Sequence, residues 1–142
     1  MLITLPGILS QQAQATLGSS AHVYSASFDD TLRKIDPDGN EVWSFTGHTN
    51  RVYAVAVDSS GNVYSASEDN TVHKIDPSGN EVWKFVNDTF TFSIGVDDSG
   101  NVYFGDYFGT VRKIDPSGNE VWAFTGNDER SVAVDSSGYV YS

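Results

Sequence analysis

The chain has 142 residues, and its 19 acidic and 8 basic side chains give a net charge of −11. This acidity repels phosphate backbones and anionic membrane surfaces, which argues against nucleic acid as a partner. The absence of cysteine excludes a disulfide framework, and no apolar run approaches the ~20 residues of a membrane span. Most of the acids are Asp, as expected for residues in turns; adaptation to high salt is the alternative explanation.

The first 20 residues are predicted to form an apolar arm and a degraded first strand. The letters LITLPGIL are apolar, and Ala13-Gln14-Ala15 resembles a signal-peptide cleavage site. The segment lacks the positively charged start of a secretory signal, so packing on another surface is the preferred interpretation. The arm residues expected to make assembly contacts are Leu2, Ile3, Leu5, Ile8 and Leu9.

The rest of the chain, 21–142, is organised by a repeat of about 40 residues. Trp43, Trp83 and Trp122 are 40 and 39 residues apart, and a Val-Tyr pair recurs four times at similar spacing. Each Trp ends the sequence DPSGNEVW or its variant DPDGNEVW. A period of this length is typical of the blades of a β-propeller.

Four strands are predicted in the central copy. Val52–Val57 is apolar at nearly every position, as expected for a fully buried strand. Residues 62–67 and 71–76 alternate apolar and polar side chains across a short turn, and Glu81–Val86 follows the DPSGN turn. Four short strands per repeat match one propeller blade, with the apolar strand innermost.

The predicted fold is therefore all-β, with blades of four antiparallel strands at about 12–46, 52–86 and 91–125 and a half blade at 129–142. The inner strand of the first blade falls at 12–17, where the glutamines fit a buried strand poorly. Propellers close with about 4 to 8 blades. Since exposed strand edges invite pairing, we expect other copies to complete the ring, or the chain to dock into a larger assembly.

Residues 47–76 resemble a WD40 repeat. They contain a Gly-His pair ending at His48, a Ser-x-Ser strand beginning at Ser65 and the turn residue Asp69, while Ile75 stands where that family has Trp. The DPSGNEVW segments resemble the Trp-bearing repeats of quinoprotein-type propellers, and VAVDSSGNVY resembles an NHL repeat. The WD40 resemblance implies a buried hydrogen-bond network of His48, Ser65 or Ser67, and Asp69, which lacks the family's Trp.

No catalytic or cofactor-binding motif is found. The Ser, His and Asp of the WD40-like network are interpreted as structural, because nothing indicates a cleft with an oxyanion site beside them. The DPDGNE loop carries enough oxygen ligands for calcium, with Asp36, Asp38 and Glu41 as the candidates. A structural turn is the preferred interpretation, because Ser replaces Asp38 in the other two copies.

The partner-binding candidates lie on one predicted face. The DSSGN and DPSGN turns hardly change between copies, whereas the loops between blades and the turns after each second strand do. Loops on a rigid scaffold carry function, and exposed aromatic residues suit recognition. Unused loops that have drifted are the alternative. The candidates are Phe28, His48, Asn50, Arg51, Glu68, Phe90, Tyr107 and Phe108.

The sequence thus favours a non-enzymatic structural or interaction protein that assembles with itself or with other subunits. An accessory protein of a viral head or tail is its specific version, with a virion or extracellular location favoured over the cytoplasm. The alternative from another class is a carbohydrate-binding propeller lectin assembled from several chains, with a glycan as ligand. A quinoprotein-like enzyme is the third hypothesis, and no cofactor is expected.

Overall fold

The computed structural model describes residues 22–126, 131–135 and 137–141, together with the backbone of residues 2–3 and 15–16. Every regular element in this part of the chain is a strand. The strands are β1 (Leu2–Ile3), β2 (Ala15–Thr16), β3 (Val23–Ala26), β4 (Leu32–Ile35), β5 (Glu41–Phe45), β6 (Val52–Val57), β7 (Val63–Ser67), β8 (Thr71–Ile75), β9 (Glu81–Val86), β10 (Thr91–Val96), β11 (Val102–Asp106), β12 (Thr110–Ile114), β13 (Glu120–Thr125), β14 (Ala133–Val134) and β15 (Val140–Tyr141).

The strands form antiparallel sheets in which neighbours in sequence are neighbours in space. Blade 1 is β3-β4-β5, blade 2 is β6-β7-β8-β9, blade 3 is β10-β11-β12-β13, and β14-β15 form a half blade. The predicted all-β fold with four-stranded antiparallel blades is confirmed, and the blades form an arc that does not close into a ring. In blade 2, β7 is buried at all five positions and β6 at four of six, so the apolar strand is indeed internal.

The first blade differs from the four-stranded unit predicted at 12–46. Its described sheet has three strands, and Ala15–Thr16 pair with Leu2–Ile3 instead of with β3. Residues 12–14 and 17 of the expected inner strand lie outside the described residues, as do the arm residues Leu5, Ile8 and Leu9. The glutamine-rich composition that fits a buried strand poorly is consistent with this difference.

The repeated turns are built around an aspartate that accepts several hydrogen bonds. In the turn after β8, Oδ1 of Asp76 accepts from the backbone nitrogens of Ser78 and Asn80 at 2.8 and 2.9 Å. Gly79 has a φ of 93°. This value lies in the left-handed region, which is unfavourable for residues that carry a Cβ. The same pattern of bonds recurs at Asp36 and Asp115. The constant letters of the repeat are therefore explained by turn geometry.

The hydrophobic core lies between blades. One cluster joins Tyr24, Leu32 and Phe45 of blade 1 to Val55, Val63 and Ile75 of blade 2. A second cluster repeats this arrangement between blades 2 and 3. Polar contacts cross the same junctions, since the backbone nitrogen of Ser67 donates to Oγ1 of Thr91 at 2.9 Å. Each blade is thus held mainly by its neighbours, as in other repeat proteins.

Candidate functional site

Six aromatic side chains form a continuous strip across the variable face of blades 1 to 3. The ring centroids are 6.0 Å apart for Phe28 and Tyr53, 5.1 Å for Tyr53 and Phe92, and 6.1 Å for Phe92 and Tyr107. Phe90 and Phe108 flank Tyr107 at 6.1 and 5.6 Å. We call Phe28, Tyr53, Phe90, Phe92, Tyr107 and Phe108 the aromatic strip.

Three kinds of local structure bring these rings together. Phe90 lies in the loop before β10. Phe28, Tyr107 and Phe108 lie in the turns that follow the second strand of a blade. Tyr53 and Phe92 lie on the inner strands β6 and β10, where the register with the next strand shifts between Val52 and Ala54 and between Thr91 and Ser93. A bulge at these positions re-aims a side chain out of the strand's alternation, so Tyr53 and Phe92 join the turn aromatics.

The strip is open to solvent over much of its length. Phe28 and Phe108 are 64% and 68% exposed, Tyr107 is 46% exposed and Phe90 37%. Arg51 places its guanidinium 5.4 Å from the centroid of Phe28, a cation–π distance. Aromatic side chains, including Phe, and Arg are enriched in the cores of protein interfaces.

Most of the candidates predicted from sequence surround this strip. Phe28, Phe90, Tyr107 and Phe108 belong to it, Asn50 and Arg51 are exposed beside it, and Glu68 pairs with Arg51 at 3.9 Å. Sequence reasoning missed Tyr53 and Phe92, because an apolar inner strand predicts uniform burial. The signal was an aromatic residue at the second position of both β6 and β10.

His48 differs from the other candidates because its side chain is fully buried. Its Nδ1 lies 2.9 Å from Oδ2 of Asp69, and its Nε2 lies 2.8 Å from Oγ of Ser65. With Nδ1–H donating to the carboxylate, Nε2 accepts from the Ser65 hydroxyl. His48 thus joins the interblade loop to blade 2 and makes no direct surface available to a partner.

A second buried histidine extends this network. His73 Nδ1 lies 2.9 Å from Oε2 of Glu81, and its Nε2 lies 3.0 Å from Oγ1 of Thr71. Burial, with the nearby His48 as a further cause, lowers the pKa of His73 to about 4. Burial opposes ionisation of Asp69, but hydrogen bonds from His48 and Thr71 outweigh it and hold its pKa well below the usual range. At neutral pH the network therefore holds a neutral His73 and an ionised Asp69.

Both groups of potential metal ligands take part in hydrogen bonds or ion pairs within the chain. Ligand atoms of His48, Asp69 and His73 lie within 4.8 Å of one another. The hydroxyl of Thr71 lies among them, 3.2 Å from Nδ1 of His48 and 3.0 Å from Nε2 of His73. Hydrogen bonds thus occupy the space that a cation would take.

The calcium candidates of the DPDGNE loop are also engaged by protein groups. Both carboxylate oxygens of Asp36 accept from the side-chain nitrogen of Asn40, at 3.4 and 3.2 Å. Oε2 of Glu41 lies 3.2 Å from Nε of Arg33, and Asp38 is exposed. This arrangement places Asp36 in a turn and Glu41 in an ion pair, and the calcium hypothesis stays an untested prediction.

No helix long and apolar enough to cross a membrane occurs among the described residues. Among the solved structures, the chain is similar to the WD40 β-propeller domain of Doa1. The TM-score is 0.75 with 23% sequence identity, and the match covers 84% of this chain and 42% of that chain. This likeness supports the fold alone.

The sequence comparisons give a family for the repeats. No curated protein matches the chain by sequence. A family model described as outer membrane protein assembly factor BamB matches residues 28–141, which include blades 2 and 3, the half blade and strands β4 and β5 of blade 1. The match extends over more than half of the chain, so the protein belongs to this family of quinoprotein-type propeller repeats.

Proposed function

We propose that the chain is a non-enzymatic interaction protein that binds a partner protein through the aromatic strip as part of a larger assembly. The observation that carries this proposal is the continuity of six rings over three blades, with four of them well exposed. Monomeric proteins rarely expose contiguous apolar patches of this kind without a binding role.

The assignment of a protein partner follows from the shape and chemistry of the strip. The rings lie along the surface in a row, and Arg51 and Glu68 provide charged groups at one end. An apolar centre with a polar rim is the usual anatomy of a protein interface. A partner that places apolar side chains along this row would bury the rings without leaving a charge unpaired.

In this function the buried side chains of Ser65, His48 and Asp69 have a structural role. Ser65 is 0% exposed and His48 is 5% exposed, so the hydroxyl does not face a cleft in the described part of the molecule. A nucleophile must reach a substrate whose oxyanion is stabilised beside it. These three residues instead connect the loop before β6 to the turn after β7.

Two settings for the assembly can be distinguished. A small repeat-built chain suits an accessory protein of a viral head or tail, whereas the description of the matched family suggests a role beside proteins assembled into an outer membrane. Each setting brings a different partner to the same strip. Identification of the partner therefore decides between them.

Site-specific photocrosslinking tests the proposal. A photoreactive phenylalanine analogue is placed at Phe28 or at Phe108 in the source cells, and the matched control carries it at Ser117, an exposed position in a constant turn. We expect one and the same protein to be captured from both strip positions and not from Ser117. The purified partner should then bind Phe108→Ser at least about tenfold more weakly. Equal capture from Ser117, or unchanged binding to Phe108→Ser, would refute the strip as the interface.

A carbohydrate-binding function is the second candidate, because exposed aromatic faces also stack on sugar rings. A glycan array probed with the purified chain separates the two candidates. Glycan binding that disappears in Phe108→Ser would favour the lectin. An array without hits, combined with a crosslinked protein partner, would favour the interaction protein.

A further inference from the structure

The junctions between blades 1 and 2 and between blades 2 and 3 use the same polar contact. At the junction of blades 1 and 2, Nε1 of Trp43 and Nζ of Lys34 donate to the carbonyl oxygen of Pro77 at 3.1 and 3.3 Å. The Trp43 ring also covers Gly79, where an added Cβ would lie 2.9 Å from its Cγ.

The junction of blades 2 and 3 repeats this contact. Trp83 and Lys74 donate to the carbonyl oxygen of Pro116 at 3.1 and 3.4 Å. An added Cβ at Gly118 would lie 3.0 Å from Cγ of Trp83. A tryptophan and a lysine of one blade thus hydrogen-bond to the Pro-x-Gly turn of the next, and the tryptophan ring packs on its glycine.

Blade 3 carries the donor half of this contact without an acceptor among the described residues. Trp122 and Lys113 occupy the positions of Trp83 and Lys74. All six residues of β13 are exposed, and Trp122 is 38% exposed. Beside it is an open cleft of about 390 Å³, lined by Val111, Trp122, Phe124 and Val140. This end of the arc therefore presents an indole N–H, a lysine and an apolar cleft.

Blade 1 carries the acceptor half without a donor among the described residues. The turn at Pro37 has the same Asp-capped geometry as the other two, and Gly39 has a φ of 87°. No heavy atom lies within 4 Å of a Cβ built on Gly39, whereas the matching glycines of blades 2 and 3 are covered by a tryptophan.

The apolar side chains of blade 1 point to the same missing neighbour. Val23 and Ile35 are only half-buried. Their counterparts in blade 2, Val63 and Ile75, are 0% exposed because blade 1 packs on them. Val23 and Ile35 thus form a partly exposed apolar surface on blade 1. Phe45 packs on the equivalent surface of blade 2.

The two ends of the arc also complement each other in their strands. Blade 1 has three described strands, and β3 pairs only with β4 among them, while β2 lies near β3 without pairing with it. The half blade supplies an inner strand, β14, whose Val134 packs on Gly95 of β10. Its partner β15 repeats the Val-Tyr pair of β3 and bonds to β14 over only two residue pairs. The strands β3 and β15 are therefore alternative partners for β14.

We propose that blade 1 of a second copy of this chain docks on blade 3, with the Pro37 carbonyl accepting from Trp122 and Lys113. When β3 of the second copy replaces β15 beside β14, its Val23 takes the place of Val140 in the cleft wall, and Ile35 packs beside Phe124. Two such contacts, related by a two-fold axis, join the two copies head to tail. A head-to-tail contact that closes in this way avoids open polymers.

Analytical ultracentrifugation of the 142-residue chain tests the proposal. We expect a mass of twice 15.4 kDa, and a dissociation constant raised at least about tenfold by Phe124→Glu, which puts a carboxylate into the cleft. Trp122→Phe keeps the ring and removes the donor, so it should weaken the dimer less. The matched control Trp83→Phe removes the same bond within one chain and should lower stability without changing the mass.

Two results would overturn the contact. One is a mass of 15.4 kDa at all micromolar concentrations. The other is a dimer whose dissociation constant is unchanged in Phe124→Glu while circular dichroism shows the fold intact. The self-contact does not depend on the aromatic strip. Phe108→Glu, which alters the strip, should leave the mass of the chain unchanged, so the outcomes for the two surfaces are separable.

Discussion

The indole nitrogen of Trp43 donates to the carbonyl oxygen of Pro77 across 3.1 Å, although the two residues belong to different blades. Trp83 and Pro116 repeat the bond at the same distance. Since each of these tryptophans is half-buried against the next blade, the bond and the ring packing act on the same junction.

The first prediction separates these two contributions at the junction of blades 2 and 3. Trp83→Phe should lower the free energy of unfolding by about 1 kcal/mol, because one hydrogen bond is lost while most of the ring area stays buried. Trp83→Ala should lower it by about 3 kcal/mol, because a cavity opens over Gly118. Urea unfolding followed by circular dichroism measures both values. Equal losses in the two variants would mean that ring packing contributes nothing.

The second prediction concerns the buried network of blade 2. His48→Ala should lower the free energy of unfolding by about 3 kcal/mol, because Asp69 and Ser65 lose their partner while remaining buried. Thr49→Ala is the matched control, since Thr49 is exposed and bonds Asp69 only through its backbone nitrogen. The control should stay within about 0.5 kcal/mol of the parent. A similar loss in both variants would contradict a specific role for the imidazole.

The third prediction is a loss of stability in mild acid caused by His73. The groups that face it are Glu81 of β9, Asp69 of the turn and His48 of the interblade loop. Its pKa is about 4 in the folded chain and 6.5 in the unfolded chain. Between these pH values the unfolded chain binds the proton more tightly than the folded chain. The free energy of unfolding is therefore highest above pH 6.5 and falls as the pH drops toward 4.

This pH effect is measurable by comparison with a non-titrating variant. From pH 7.5 to pH 4.5 the free energy of unfolding should fall by about 2 to 3 kcal/mol more in the parent than in His73→Gln. Carboxylates with lowered pKa values, such as Asp69, lose their contribution at lower pH and do so in both proteins. Parallel pH curves for the two proteins would show that His73 does not titrate differently on folding.

The fourth prediction compares two aspartates of blade 3 that cap different turns with the same pattern of backbone hydrogen bonds. Asp97 is 8% exposed and accepts from the hydroxyl of Tyr103 at 2.9 Å in addition to its turn bonds. Asp115 makes the turn bonds alone among the described contacts and is more exposed. Asp97→Ala should cost about 3 kcal/mol, because a buried hydroxyl loses its acceptor, and Asp115→Ala about 1 kcal/mol. Denaturant unfolding of the pair checks the order, which the reverse ranking would contradict.

The sequence predicts the blades well because each element carries a local signal. The turn at Asp76, with its Pro and Gly, follows from the conformations that these residues allow. The inner strand β6 follows from its uninterrupted apolar run. Since both signals recur every 39 or 40 residues, an ambiguous segment in one copy is resolved by the same segment in another.

The strip and the junction ends are harder to predict because they depend on contacts between distant residues. The side chains of Tyr53 and Phe92 depart from the alternation of the inner strands at β-bulges, and the residue pattern does not predict these bulges. Trp83 and Trp122 occur in identical letters, yet the first is half-buried and the second exposed. The difference comes entirely from the blade that follows, and identical sequence cannot encode it.

Each of the three tryptophans follows a Pro-x-Gly turn of its own repeat by about six residues. Trp43 and Trp83 instead contact the turn of the next repeat, 34 and 33 residues further along the chain. Duplication of a single repeat therefore adds both a new Pro-x-Gly turn and a new Trp that can contact the turn of the following blade. The number of blades can therefore change by duplication of one repeat, because the added blade already carries both halves of the contact between blades. A substitution of the Trp would alter the contact of a repeat with the following blade, and a substitution in the turn would alter its contact with the preceding blade.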